Sequence, residues 1–236
     1  MFAFLTRENK LTFEVIYPDE SLEMFDLVVL AGKETKKDMK LVKKLKAPAV
    51  SMARCPAFYL SSKAGFILRS PYTMKIFMDG EKFAVNCRTA FDFDAVTMHG
   101  DSQSEPYFKG KTVIKINNPV LIKEKSGIDC VYMPAWQFNK KISTEFDGIS
   151  GFIDFKYNNA ANIFVVVDND YLAKHREVTI NAGDPLAHVV PITDKKIELV
   201  SKVDNNFTPI NNYKFAIDEP HHAVTKRLLD RNLCDN

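Results

Sequence analysis

Apolar and polar positions alternate in short runs from Pro48 onward, and turn-forming residues separate these runs. Each run is rich in β-branched, aromatic or other apolar side chains, which favours strands that are buried on one face. The runs are AFYL (57–60), GFILRSPYTMKIFM (65–78), KFAVNC (82–87), KTVIKI (111–116), PVLIKE (119–124), IDCVYMPAW (128–136), GFIDFKY (151–157), NIFVVVD (162–168), EVTI (177–180), LAHVVPI (186–192) and KIELVSKV (196–203). Strands that recur this often are typical of an antiparallel sandwich or barrel. We therefore predict a mainly β domain over residues 48–203.

Two turns within this domain have specific sequence signals. Asp79-Gly80 lies between two alternating segments, which is the pattern of a β-hairpin with a two-residue turn. Asn181 to Asp184 predicts a second tight turn, in which Gly183 adopts a positive φ.

The two ends of the chain have different patterns. Residues 4–17 fit an irregular strand, and Leu41, Val42 and Leu45 then fall at helical spacing among lysines. Residues 1–47 are therefore predicted to form an N-terminal strand and a lysine-rich helical segment. Residues 204–236 are predicted to be a C-terminal extension, and residues 221–233 within it read as a helix with a narrow apolar stripe.

Composition and charge exclude several classes of protein. The 236 residues are 46% hydrophobic with a net charge of +2, which suits a folded domain rather than a disordered chain. The nine glycines are scattered singly, so no glycine-rich nucleotide-binding motif is present. The four cysteines lack zinc-ligand spacing and are expected to be reduced thiols. The sequence also lacks a signal-peptide pattern and a long apolar run, so we expect a protein of the cytoplasm without membrane contact.

The lysine-rich segment is a candidate nucleic-acid contact, since clustered cations can neutralise phosphates. Its lysines are Lys36, Lys37, Lys40, Lys43 and Lys44. Glu34 and Asp38 interrupt the run, so a solvated helix face is the simpler interpretation.

Signals are densest between residues 147 and 192. Strand alternation over residues 152–157 would place Asp154 on one face with Phe152 and Lys156, and Tyr157 on the opposite face. Residues 163–167 predict a buried strand, and residues 186–191 predict another strand after the turn at Gly183.

This region resembles the dUTPase and dCTP-deaminase superfamily in the order and spacing of G-F-I-D-x-x-Y and I-x-x-G-D-x-x-A-x-x-V. The resemblance implies a β-clip barrel, usually trimeric, over residues 118–192. It also implies that Asp154 orients an attacking water and that Tyr157 packs against a nucleoside, with Mg²⁺ bound to the triphosphate. No cofactor is expected outside that nucleotide hypothesis.

Two features of that superfamily are missing here. Residues 133–137, Met-Pro-Ala-Trp-Gln, stand in place of its Arg-Ser-Ser phosphate motif, and no glycine follows Gly183 to build its C-terminal flap. The resemblance therefore supports the fold more than it supports nucleotide turnover.

Residues 48–195 also resemble an uncharacterised family of proteins encoded by tailed bacteriophages. The resemblance is carried by Cys55-Pro56-Ala57-Phe58, by Gly65 to Leu68, by Asn118-Pro119 and by Ala182 to Pro191. It implies a viral origin and a β-rich fold. We therefore expect a non-enzymatic virion component or host-interaction module, present in the host cytoplasm or in the particle. Its expected partners are further copies of itself and other virion or host proteins.

Other candidate site residues have simpler alternatives. His99, Asp101 and His188 match the order of a metal-binding facial triad, although a histidine in a surface turn at position 99 and a half-buried histidine at position 188 are the favoured interpretation. Trp136 and Tyr157 could bind a base or sugar by stacking, while a core or interface role is the simpler interpretation for Trp136.

Overall fold

The fold is described from a computed structural model, over residues 9–24, 26–35, 55–79, 82–87, 95–98 and 107–204. These described residues contain fifteen strands, which are β1 (Lys10–Tyr17), β2 (Val28–Leu30), β3 (Phe66–Arg69), β4 (Met74–Asp79), β5 (Lys82–Cys87), β6 (Val96–Met98), β7 (Lys111–Ile116), β8 (Leu121–Lys123), β9 (Cys130–Pro134), β10 (Asp147–Gly148), β11 (Gly151–Ile153), β12 (Ile163–Asp168), β13 (Glu177–Ile180), β14 (Pro185–Pro191) and β15 (Lys196–Val203). Its named helices are α1 (Glu20–Glu23), α2 (Pro56–Ser61) and α3 (Asn169–His175), and residues 31–35 are also helical. The lysine-rich residues 36–44 and the tail helix expected at 221–233 lie outside the described residues.

The strands form four sheets. Sheet I has the order β15-β1-β8, sheet II β10-β12-β7-β6, sheet III β11-β9-β14-β3-β2 and sheet IV β13-β4-β5. Every pair among these described strands is antiparallel except β1 with β15, which run parallel from Lys10 beside Lys196 to Tyr17 beside Val203. The prediction of a mainly β, largely antiparallel fold is therefore confirmed. Among the described residues, however, none of the sheets closes into a barrel.

The N-terminal strand belongs to the core. Phe13 on β1 is fully buried, and its ring centroid lies 5.1 Å from that of Phe66 and 6.0 Å from that of Phe155. Phe66 and Phe155 are also 6.0 Å apart, so the three rings join sheet I, sheet III and the turn that follows β11. Aromatic clusters of this kind supply large buried areas, which is why the alternating pattern of β1 is stable inside the domain.

Residues 57–60 were expected to form a strand, and this prediction is wrong. They lie in α2, where Pro56 occupies the first turn and Cys55 is extended at the N-cap. A four-residue apolar run has no decisive period, while proline in a first turn favours a helix. No side chain of α2 is buried, so the helix lies on the surface with its apolar residues partly exposed.

Two further features differ from the sequence-based expectation. Helix α3 was not predicted, although Asp168 caps it by accepting bonds from the amides of Asp170 and Tyr171. In the β4–β5 hairpin Asp79 pairs with Lys82, so Asp79 belongs to the ladder rather than to the turn expected at Asp79-Gly80.

Candidate functional site

Asp154 lies in a turn rather than in a strand. Strand β11 ends at Ile153, and the Asp154 carbonyl accepts a bond of 2.9 Å from the Asn158 amide. The expected alternation is therefore wrong beyond Ile153. Phe152 is 69% exposed whereas Asp154 is 3% exposed, so the two side chains do not share an environment.

The Asp154 carboxylate points inward, against a neighbouring turn. Its Oδ1 accepts a bond of 2.9 Å from the Lys156 amide. A Cβ placed on Gly127 would lie 3.6 Å from Asp154 Oδ2 and 3.7 Å from Tyr157 Cε2. Gly127 has a φ of +74°, a conformation that glycine adopts without strain. The turn at Gly127 thus packs against Asp154 and Tyr157, the two residues for which the dUTPase resemblance implies a role.

Glu124 holds this turn in place. Its carboxylate accepts bonds from the amide of Ser126 at 2.6 Å, that of Gly127 at 2.8 Å and that of Ile128 at 3.2 Å, and from the Ser126 hydroxyl at 2.5 Å. Burial alone would raise the pKa of Glu124, but these hydrogen bonds outweigh it and the pKa is lowered. Glu124 was not among the candidates from the sequence. The pattern that could have indicated it is a glutamate that precedes a Ser-Gly turn by two residues, where its carboxylate can reach the backbone amides.

Cys130 shares this acidic environment. Burial, followed by the charges of Glu124, Asp154 and Asp129, raises the pKa of the Cys130 thiol to about 12. The thiol is therefore protonated at neutral pH and is a poor nucleophile. In this region the carboxylates of Glu124 and Asp154 are buried and accept hydrogen bonds from backbone amides. The Cys130 thiol beside them is buried and stays protonated.

Tyr157 is half-buried and Trp136 is exposed, and the two rings contact different neighbours. The Lys156 ammonium lies 4.9 Å from the centre of the Tyr157 ring, which is a cation–π geometry. Trp136 is 47% exposed, and its ring packs edge-on against Phe58 of α2 at 5.7 Å. Its position after β9, beside a surface helix, suits an interface better than a closed ligand pocket.

His188 is buried in sheet III. Its Nε2 donates to the carbonyl of Ala64 at 2.7 Å, and its ring meets Phe138 edge-on at 5.5 Å. Burial lowers the pKa of His188, and the bond to Ala64 opposes that shift only in part. The expectation of a half-buried histidine is wrong, because the side chain is fully enclosed.

The proposed metal triad is only partly described, since His99 and Asp101 lie outside the described residues, as do Lys36, Lys37, Lys40, Lys43 and Lys44. Within the part of the chain that is described, no group of three or more His, Cys, Asp or Glu side chains is arranged to hold a metal ion. Every helix in that part is too short or too polar to cross a bilayer.

The strands that carry the sequence motifs lie next to one another in the fold. Strand β9 pairs with both β11 and β14, so the three strands that carry the matching segments are neighbours in sheet III. No family model matches the chain, and no curated protein matches it.

Proposed function

We propose that this chain is a non-enzymatic, self-associating protein of a tailed bacteriophage, built on a β-clip-like domain. The phage origin and the β-clip comparison rest on the sequence resemblances. The pairing of β9 with β11 and β14 supports the comparison, because it brings the three matching segments together. The role is either that of a virion component or that of a host-interaction module.

The burial of Asp154 supports a non-enzymatic role. A carboxylate that positions water for attack on phosphorus must reach both the water and the substrate. Asp154 is 3% exposed and already accepts the Lys156 amide, and the turn at Gly127 lies over it. Residues 133–137, Met-Pro-Ala-Trp-Gln, also lack a cationic side chain that would bind a triphosphate at the position of the phosphate motif.

The observation that carries self-association is an apolar strip on the outer face of sheet III. Phe152 on edge strand β11 pairs with Val131 on β9, which in turn pairs with Val190 on β14. Residues that pair across antiparallel strands lie on the same face, so these three side chains form a continuous row. Phe152 is largely exposed, whereas Val131 and Val190 are half-buried. An apolar row beside a free aromatic side chain suits an interface between protein chains.

The test is the mass of the purified chain by light scattering over a range of concentrations. We expect an assembly of several chains, and we expect Phe152→Asp to shift it to the 26.8 kDa monomer. Tyr107→Asp is the matched control, because Tyr107 is 83% exposed and lies outside sheet III. A monomer at every concentration would refute self-association, and equal effects of the two substitutions would refute this interface.

A second measurement tests the absence of catalysis. The chain is incubated with Mg²⁺ and a panel of deoxynucleoside triphosphates, and pyrophosphate release is followed. We expect no turnover and no thermal shift. Turnover that Asp154→Asn abolishes without unfolding the chain would replace the structural role with a dUTPase-like activity. Proteomic detection of the chain in purified particles would then separate a virion component from a host-interaction module.

A further inference from the structure

The outer face of sheet I carries a concentration of positive charge. On β1, Phe13 and Val15 point into the core, so Thr12 and Glu14 face solvent. Five lysines lie on this face or on the turn directly after β8, and two glutamates accompany them. The lysines are Lys10, Lys123, Lys125, Lys196 and Lys202, and the glutamates are Glu14 and Glu198. This one face has a net charge of +3, whereas the whole chain has +2.

Each glutamate is already matched by one lysine. Lys202 Nζ lies 3.0 Å from Glu14 Oε1, and Lys10 Nζ lies 3.6 Å from Glu198 Oε1. The excess charge therefore comes from Lys123, Lys125 and Lys196, which are all exposed. Lys123 pairs directly with Glu14 across the β1–β8 ladder, and Lys196 pairs with Lys10 across the β1–β15 ladder.

The electrostatics of Glu14 show how closely these cations converge. The hydrogen bond from Lys202 is the largest influence on the pKa of Glu14 and lowers it, while burial is the next largest and raises it. The charges of Lys202, Lys125 and Lys123 then lower the pKa of Glu14 further. Three ammonium groups from two strands and a turn thus act on one carboxylate, which compensates only part of their charge.

The shape of the face suits a long polyanion. Strands β1 and β15 have eight residues each, which corresponds to a length of about 25 Å. That length matches roughly seven base pairs of a duplex at 3.4 Å each. The described residues of this face include no aromatic side chain to stack on unpaired bases, since its remaining exposed members are Thr12 and Val200 and its other two, Ile16 and Leu121, are buried. The chemistry therefore favours contacts to the phosphates of a duplex over binding of single strands.

We propose that the outer face of sheet I binds the phosphate backbone of double-stranded nucleic acid without reading its sequence. The surface is distinct from the apolar strip of sheet III and does not depend on self-association. It is also distinct from the lysine-rich segment 36–44, which lies outside the described residues.

The test uses fluorescence anisotropy with a labelled 20-base-pair DNA duplex between 50 and 200 mM salt. The variant Lys123→Gln/Lys125→Gln/Lys196→Gln removes the three excess charges. The control Lys109→Gln/Lys140→Gln/Lys174→Gln removes three exposed charges elsewhere. Three phosphate contacts contribute a log–log salt slope of about −2.7, which is roughly a 40-fold loss of affinity over this range. We expect the salt dependence of the first variant to be weaker than that of the parent chain by a slope of about 2.7. The control should have the same salt dependence as the parent chain.

Several outcomes would overturn the proposal. One is no binding at 50 mM salt, and another is an equal loss in the control. A third is loss of the salt dependence in Lys36→Gln/Lys37→Gln/Lys40→Gln instead, which would assign binding to the lysine-rich segment.

Lysines also protect edge strands such as β15 from pairing with other chains. If the sheet I variant aggregates while its DNA affinity is unchanged, that protective role replaces the proposed one. Tighter binding to anionic lipid vesicles than to the duplex would point to a membrane surface.

Discussion

Gly65 allows the backbone before β3 to approach β14 closely, and replacing it tests how sheet III is packed. It has a φ of +67° and precedes β3. A Cβ at this position would lie 1.9 Å from the carbonyl oxygen of Val189 and 2.9 Å from its carbonyl carbon. Val189 lies on β14, a strand that pairs on both sides. The obstacle is therefore backbone that cannot move aside easily.

The cost of Gly65→Ala has two parts. A non-glycine residue in the left-handed region costs about 1–2 kcal/mol. Forcing extra volume against packed backbone costs about 1–3 kcal/mol more. Alanine also restricts the unfolded chain, which returns about 0.4–1 kcal/mol. The free energy of unfolding should thus fall by roughly 2–4 kcal/mol, a large share of the 5–15 kcal/mol typical of a domain.

Gly110→Ala is the matched control, because Gly110 has a φ of +71° with no atom within 4 Å of the added Cβ. It should cost only about 1 kcal/mol, from the backbone conformation alone. Urea denaturation followed by circular dichroism measures both variants against the parent chain. Equal destabilisation by the two substitutions would show that Gly65 does not approach β14 as described.

Two other predictions concern titratable groups. His188 is buried and neutral, so its folded pKa lies below its unfolded value of 6.5. Stability should be unaffected by His188 above that pH, and it should decline by at most about 1.4 kcal/mol per pH unit as the pH falls below it. His188→Gln keeps an amide donor for Ala64 but cannot titrate, so urea melts at pH 5 to 7.5 should show a shallower decline; an unchanged decline would contradict this account. Iodoacetamide at pH 8 should label exposed Cys55 and spare Cys130 until denaturant is added, as peptide mass spectrometry would show. Labelling of Cys130 in the folded chain would contradict its burial.

The strands were predictable where side chains alternate or where an apolar run ends in a clear turn. Residues 111–116 form β7 and residues 163–168 form β12, as their patterns indicate. The turn at Gly183 also has the expected positive φ. Local patterns failed where apolar content and helix signals compete. Residues 57–60 are apolar, yet Pro56 begins a helix there, and the Asp168 cap of α3 follows directly on a strand.

The environment of Asp154 could not be predicted from its own segment. Alternation assigns faces only while a strand continues, and β11 ends at Ile153. Asp154 is buried by a turn about thirty residues earlier in the chain. Glu124 holds this turn in place, and Gly127 allows it to lie close to Asp154 because it has no side chain. Long-range contacts of this kind are set by how β8, β9 and β11 assemble. Sequence motifs placed Asp154 among the candidates, but only the fold shows that it faces inward.

The apolar strip and the charged face differ in chemistry and lie on different sheets. A substitution on the apolar strip should therefore change nucleic-acid binding only by changing how many chains assemble. Phe152 lies on sheet III and Lys196 on sheet I, and substituting one removes no contact of the other. An assembly of several chains would present several charged faces to one duplex, which raises the apparent affinity through effective concentration. Phe152→Asp should therefore weaken binding to a long duplex. Its salt slope on a duplex that accommodates a single chain should be unchanged, because the three excess lysines of sheet I are intact.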